Sequence, residues 1–138
     1  MDIQVIIDNL PLYFKGLWTT IVLVASSLGI GLCLAIPIAL LATAKKKWIS
    51  FLPKAYIYFF RGTPLLVQMY MIYHGMGQFE IIHDSFLWTV FKEAYACALI
   101  AFALNTAGYT GEILRGTIEQ TLFGEIEAAK ACGMSVPM

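Results

Sequence analysis

Charge is what this sequence has least of. Of its 138 residues, 13% are charged and 59% hydrophobic, which leaves too little polar surface to cover an apolar interior in water. The nine basic and nine acidic side chains cancel, and no basic block of the kind that tracks phosphates occurs, so a nucleic-acid-binding surface is excluded. No glycine-rich phosphate loop of the form GxxxxGK[ST] is present, so any ATP chemistry must be done by another protein. The cysteines, Cys33, Cys97 and Cys132, are odd in number, widely spaced and without a CxxC pair, which argues against both a disulfide framework and a zinc site. Cys33 and Cys97 fall in apolar runs, where a thiol acts as a small hydrophobe. Histidine is limited to His74 and His83, with no metal-spaced companion or serine–acid partner, so both read as solvated loop residues. An intramembrane enzyme would need paired carboxylates or histidines at helical spacing inside the apolar segments, and only isolated polar residues occur there.

What is present is long apolar runs. Trp18 to Ala44 is 27 residues without a charge, whereas a spanning helix needs about 20. Asp2, Asp8 and Lys15 precede it and the run exceeds a signal-peptide core, so a retained helix is expected, with residues 1–16 as an external segment. Gly29, Gly31 and Pro37 would give this helix a close-packing surface or a bend. Lys45, Lys46 and Lys47 end the run, and Trp48 beside them suits the headgroup layer.

A second apolar stretch, Ala55 to Tyr73, is interrupted at Arg61, Gly62, Thr63 and Pro64, and a third runs from Ala94 to Ile113 with Asn105 and Glu112 as its polar members. The expected fold is thus an all-α membrane protein with about three transmembrane helices. Between the second and third lies a polar segment, His74 to Glu93, in which Phe86 to Phe91 suits the membrane surface. Lys45, Lys46, Lys47, Lys54, Arg115 and Lys130 fall on one side, against Lys15 and Lys92 on the other, which places the amino terminus outside and the carboxyl terminus in the cytoplasm.

Three places carry candidate function, each beside a plainer reading. Proline removes a backbone donor and glycine loosens a helix, so the second crossing should break at Arg61-Gly62-Thr63-Pro64. Arg61 then either snorkels to the headgroups or helps to shape a pathway or gate. Gln68, Asn105 and Thr106, polar in apolar surroundings, either bond helix to helix or face a translocation path. Tyr70, Tyr73 and Tyr109 read as interface anchors or core rather than a cation cage. In the cytoplasmic segment, Gly124 to Gly133 reads as a short helix with a stop: Glu125 and Glu127 offer charge, Ala128 and Ala129 allow close approach, and Gly133 permits a tight turn. An ordinary alanine-rich helix with a glycine cap is the plain alternative.

Glu127-Ala128-Ala129, three residues and then Gly133 is similar to the coupling motif of bacterial ABC importer permeases. FRGTPLLVQ (Phe60 to Gln68) and LNTAGYTGEILRGTI (Leu104 to Ile118) resemble signatures of the subfamily serving histidine, arginine, lysine, glutamine, glutamate and opines. The three blocks occur in the family's order, and the resemblance extends from about Gly16 to the end.

The resemblance implies a partial type I importer permease fold over residues 17–138, with a cytoplasmic coupling helix that docks on a separate ABC ATPase. It implies a same or similar permease subunit as partner, an extracytoplasmic amino-acid-binding protein, membrane lipid around the helices, and no cofactor on the chain itself. The stretch Tyr73 to Ile81 resembles members handling arginine or histidine, so a basic amino acid is the expected substrate. The family's leucine-proline continuation after the motif glycine and its two further helices do not follow Gly133, from which a truncated chain is expected. The alternative function is a non-transporting membrane scaffold that only binds the ATPase or a partner permease.

Overall fold

The computed structural model describes residues 9–80, 84–85 and 88–134, the side chain of Phe123 excepted. His83, Phe86 and the final Ser135-Val136-Pro137-Met138 lie outside the described residues. Helices α1 (Leu10–Ala42), α2 (Lys47–Gly62) and α3 (Leu65–Tyr70) come first; a π turn (Met71–Gly75) and a 3-10 turn (Met76–Gln78) continue α3. Short α4 (Trp88–Phe91), long α5 (Ala94–Gln120) and α6 (Phe123–Ala131) follow, and no strand occurs among the described residues.

α1 and α5 are the two described helices long and apolar enough to cross a bilayer. At 1.5 Å per residue, α1's 33 residues extend about 50 Å and α5's 27 about 40 Å, both beyond the hydrocarbon thickness of about 30 Å. Both outrun the apolar stretches that announce them. α1 starts eight residues before Trp18, with a proline in its first turn where the missing N–H costs nothing, and α5 runs seven residues past Ile113. Hydropathy marks what lipid touches, whereas helix length follows backbone hydrogen bonding. The segment between them is a helix, a break and a second helix, and α2 begins at Lys47 rather than near Ala55.

The core is made of small residues. Ser27, Gly31, Ala35, Ala39 and Ala42 form the buried face of α1, and Cys97, Ala101, Ala103, Ala107, Gly108 and Gly111 that of α5. Those of α1 recur every three to four residues on one stripe, whereas those of α5 face two ways, Gly111 toward Ala35 and Ile38 of α1 and Gly108 toward Phe60 and Tyr56 of α2, so α5 is approached closely by both helices. A Cβ on Gly31 would lie 2.7 Å from the Thr106 Cβ, and one on Gly111 3.3 Å from Ile38 Cγ2. Gly29, by contrast, faces open space, and α1 continues as a helix through Pro37.

Large apolar side chains point the other way: Trp18, Leu12, Phe14, Leu40 and Ile113 are all exposed, while the largest fully buried side chain is Cys97. A soluble domain buries its large hydrophobes because water drives them inward. Where lipid is the solvent that drive vanishes, and close packing of small residues holds the helices instead.

Candidate functional site

The break between α2 and α3 follows from Pro64. A residue before proline is pushed out of the helical region, and Thr63 is extended at φ −110° and ψ 139°. Proline also has no N–H, so the helical donor owed to the carbonyl of Phe60, four residues earlier, does not exist. An unpaired buried carbonyl costs about 1–3 kcal/mol, so another donor is needed.

Gln68 supplies it. Its Nε2 donates to the Phe60 carbonyl at 2.9 Å, to the Thr63 carbonyl at 3.0 Å and to Thr63 Oγ1 at 2.6 Å. Asn105 on α5 completes the cluster, with Nδ2 donating to Gln68 Oε1 at 3.2 Å and to the Phe60 carbonyl at 3.4 Å. Gln68 is buried and Asn105 half-buried, so each amide is spent largely on protein groups.

Thr106, next to Asn105 in sequence, points elsewhere, into the α1 seam against Gly31. Gly62 closes α2 with open space around it. The break therefore joins Arg61, Thr63, Pro64, Gln68 and Asn105 into one locus and leaves Thr106 outside it.

Further bonds tie α2 to α5 on either side. Tyr56 OH donates to the Leu104 carbonyl at 2.7 Å, and Tyr109 OH to the Arg61 carbonyl at 3.5 Å. The Arg61 guanidinium lies 5.7 Å from the centre of the Tyr109 ring and 3.3 Å from Glu112 Oε1. Glu112 also accepts Arg115 Nε at 2.8 Å and Nη2 at 2.7 Å, a two-pronged pair. Arg115 reaches Glu119 as well, at 2.5 Å.

The sequence marked Glu112 as a polar member of the third run and Arg115 only as part of the charge asymmetry, and it gave neither of them, nor Tyr56, a place in the site. The signal that marks Glu112 is its charge inside an apolar run, since such charges are costly and occur with partners. Asn105, Tyr109 and Glu112 form one face of α5 at helical spacing, with the Leu104 carbonyl beside it, so the polar α2 contacts make a ladder along that face.

Two clefts flank the ladder. One, of about 490 Å³, lies beside the break, with Thr63, Gln68 and Gln78 as polar members among apolar residues such as Phe60, Met71 and Leu104. The other, of about 280 Å³, is lined by Lys54, Ile57, Tyr58, Arg61, Glu112 and Arg115.

α6 stands apart. Thr121 and Leu122 are extended and redirect the chain after α5, and Gly124, Glu125, Glu127 and Ala128 are exposed, with Ala129 half-buried. Its end is a paired-bond stop: Met134 N–H donates to the Ala129 carbonyl and Gly133 N–H to the Lys130 carbonyl, each at 3.0 Å. Gly133 has φ +81°, the left-handed conformation that glycine adopts without a side-chain penalty. α6 thus presents two glutamates and small alanines on an exposed helix. Among the described residues no cluster suited to a metal occurs.

Comparisons with known proteins fit this geometry. Residues 27–137 match the family described as binding-protein-dependent transport system inner membrane component. The chain is 46% identical over 136 residues to the nopaline transport system permease protein NocM of Agrobacterium fabrum, covering 98% of this chain and 56% of that one. It is 47% identical over 120 residues to the octopine transport system permease protein OccM of Rhizobium meliloti, covering 87% and 49%. With the arginine ABC transporter permease protein ArtM of Haemophilus influenzae it shares 39% over 128 residues, covering 93% and 56%. A crystal structure of an amino acid ABC transporter with histidines superposes with a TM-score of 0.79 at 32% identity, over 98% of this chain and 59% of that one. The chain spans about half the length of the curated relatives it matches, and its fold is part of a type I permease.

Proposed function

The chain belongs to the family of binding-protein-dependent transport inner membrane components, and from that premise we propose that it works as the membrane-spanning permease subunit of an ATP-driven importer of basic amino acids such as arginine or histidine. The observation that carries this reading is α6: an exposed helix with Glu127, Ala128 and Ala129, stopped at Gly133 and joined by two residues to a spanning helix. It offers a separate ATPase subunit a rigid handle, and through α5 it reaches the Arg61–Glu112 pair and the break. Nucleotide-driven movement of α6 would then be felt at Pro64.

In this reading the amino terminus is outside, α1, the broken α2–α3 segment and α5 make three crossings, and α6 is cytoplasmic. The excess of Lys45, Lys46, Lys47, Lys54, Arg115 and Lys130 on the α6 side supports that orientation. ATP is bound and hydrolysed on the partner, the permease carries no cofactor, and a second permease subunit and an extracytoplasmic binding protein complete the transporter. The cleft beside Thr63 and Gln68 is the pathway candidate, with Asn105 holding the Gln68 amide in its wall and Arg61 lining the neighbouring cleft. The substrate class is supported by relatives described as nopaline, octopine and arginine permeases.

The test is co-purification of the chain with the ATPase encoded beside it, followed by uptake of radiolabelled arginine, histidine and nopaline. Complex formation and uptake, both lost in Glu127→Arg and Gly133→Arg, support the reading. A chain that binds the ATPase and never supports uptake is a scaffold, and the transport reading fails.

A further inference from the structure

α2 has three faces. Ser50, Pro53 and Ile57 are buried against the bundle. A second face, Trp48, Leu52, Ala55 and Phe59 at steps of four, three and four residues, is exposed and apolar, with Trp48 at 95% exposure and Leu52 at 74%. The third carries Lys47, Phe51, Lys54, Tyr58 and Arg61 at steps of four, three, four and three, so cation and aromatic alternate along one stripe. Every member of that stripe is exposed, Tyr58 at 83% and Phe51 at 72%. At 100° per residue the second and third stripes are centred about 100° apart, edge to edge on the free surface.

Charges facing acyl chains are costly, whereas an apolar face turned to water wastes its burial. Both faces are satisfied only where oil and headgroup meet. Depth agrees with this. Gly111 packs level with Ala35 and Ile38, and Ala42 ends α1 about 6–10 Å further on, while Glu112 lies about 12 Å from the end of α5. From Lys47 to Arg61, however, α2 covers about 21 Å, roughly twice that depth. It must run obliquely or begin outside the spans, and either way Lys47 and Lys54 reach the polar layer.

We propose that the Lys47–Phe51–Lys54–Tyr58–Arg61 face of α2 is a binding site for anionic phospholipid headgroups. The phosphate is taken by the lysines and by the unspent side of Arg61, while Phe51 and Tyr58 seat at the glycerol level and Trp48, Leu52 and Phe59 meet the acyl chains. Two clefts lie along the stripe, one of about 300 Å³ formed by Lys47, Trp48 and Phe51 and the 280 Å³ cleft that includes Lys54, Tyr58 and Arg61, so each pairs a cation with a ring. Glu112 balances one of the three cations lining the second cleft and Glu119 reaches Arg115 from outside it, while Lys54 has no ion pair among the described residues. Lys45 and Lys46, just before α2, add to the positive field. The inference rests on the reading that the chain lies in a bilayer, and on nothing about substrate or ATPase.

The test is lipid retention. The purified chain is exchanged into nanodiscs of phosphatidylcholine holding one-tenth phosphatidylglycerol, and lipids retained after re-extraction are measured by native mass spectrometry. Phosphatidylglycerol should be enriched, with the preference falling about fivefold for each lysine neutralised, in Lys47→Gln and Lys54→Gln separately and more in the pair. Phe51→Ala with Tyr58→Ala should weaken retention with the charges intact, and higher salt should weaken the preference in the wild type. Lys15→Gln, at the opposite end of α1, should change nothing. Equal retention of the two lipids, or a preference untouched in the double lysine variant, overturns the proposal. So does loss of ATPase binding in that variant with the lipid preference unchanged, which gives the face to a protein partner. A chain that supports uptake while showing no lipid preference removes this inference alone, and one that fails to enter nanodiscs removes the membrane reading beneath it.

Discussion

The side-chain amide of Gln68 donates to the carbonyl of Phe60 at 2.9 Å, filling the place of the N–H that Pro64 lacks. The two residues are eight apart, on opposite sides of a helix break, and the bond lets the break exist in a dry interior. Asn105 reaches the same carbonyl from α5, so the break is fastened to a spanning helix.

Removing that amide should be expensive only while the proline is present. Gln68→Leu is expected to lower the chain's stability in detergent by about 1–3 kcal/mol, the cost of stranding buried carbonyls. Pro64→Ala restores a backbone donor, so in its background the same change should cost about 1 kcal/mol less. Denaturant melts of the four chains give the coupling directly, and strictly additive costs would refute the assignment.

Gly31 and Gly29 should respond oppositely. A methyl at Gly31 meets Thr106 at 2.7 Å and the Ala103 carbonyl at 3.0 Å, so Gly31→Ala should pry α1 from α5 at a cost of about 1–3 kcal/mol. At Gly29 nothing lies within 4 Å, and Gly29→Ala should be neutral or stabilising by up to about 1 kcal/mol. Thermal melts of both variants check the pair, and equal effects would mean that the seam runs elsewhere.

Glu112 should matter more than Arg61. Arg61 is 43% exposed and its ion pair is worth about 1 kcal/mol or less, whereas Glu112→Gln also breaks the two-pronged bond from Arg115. Swapping the charges with Arg61→Glu and Glu112→Arg should not restore stability, because the new arginine would face Arg115. Recovery to wild-type stability in the swap would show that the pair acts independently of Arg115.

Gly133→Ala should fray the end of α6. Its φ of +81° costs an L residue about 1–2 kcal/mol, and asparagine less. Under the proposed function, ATPase capture should fall in the order glycine, asparagine, alanine, measured by pull-down. Equal capture by all three would separate the stop from coupling.

Cysteine labelling addresses topology. Cys132, exposed at the end of α6, should react with a membrane-impermeant maleimide only in inside-out vesicles, while buried Cys97, whose thiol bonds to the Phe91 carbonyl at 3.2 Å, should stay inert in either orientation. Labelling of Cys132 from outside would reverse the proposed orientation.

Much of this architecture is legible in residue order because lipid enforces local rules. An uncharged run such as Trp18 to Ala44 cannot stay in water, Pro64 next to Gly62 marks a break although Pro37 and Pro53 stay inside continuous helices, and Gly133 after an alanine-rich turn marks a stop. Helix ends were less legible: lysine favours helices as well as water, so Lys47 opens α2 where hydropathy alone starts it near Ala55.

Composition, the apolar runs and the three sequence blocks by themselves determined that the chain is helical, belongs in a bilayer and breaks at Pro64. Tertiary structure alone decided which polar residues meet. Asn105 and Thr106 are neighbours with the same apolar setting, yet one secures the break and the other packs against Gly31, because successive helical residues point about 100° apart. Gln68 and Asn105 are 37 residues apart, and Arg61 and Glu112 are further still. Local periodicity fixes the face a side chain occupies; only the packing of whole helices fixes what lies opposite.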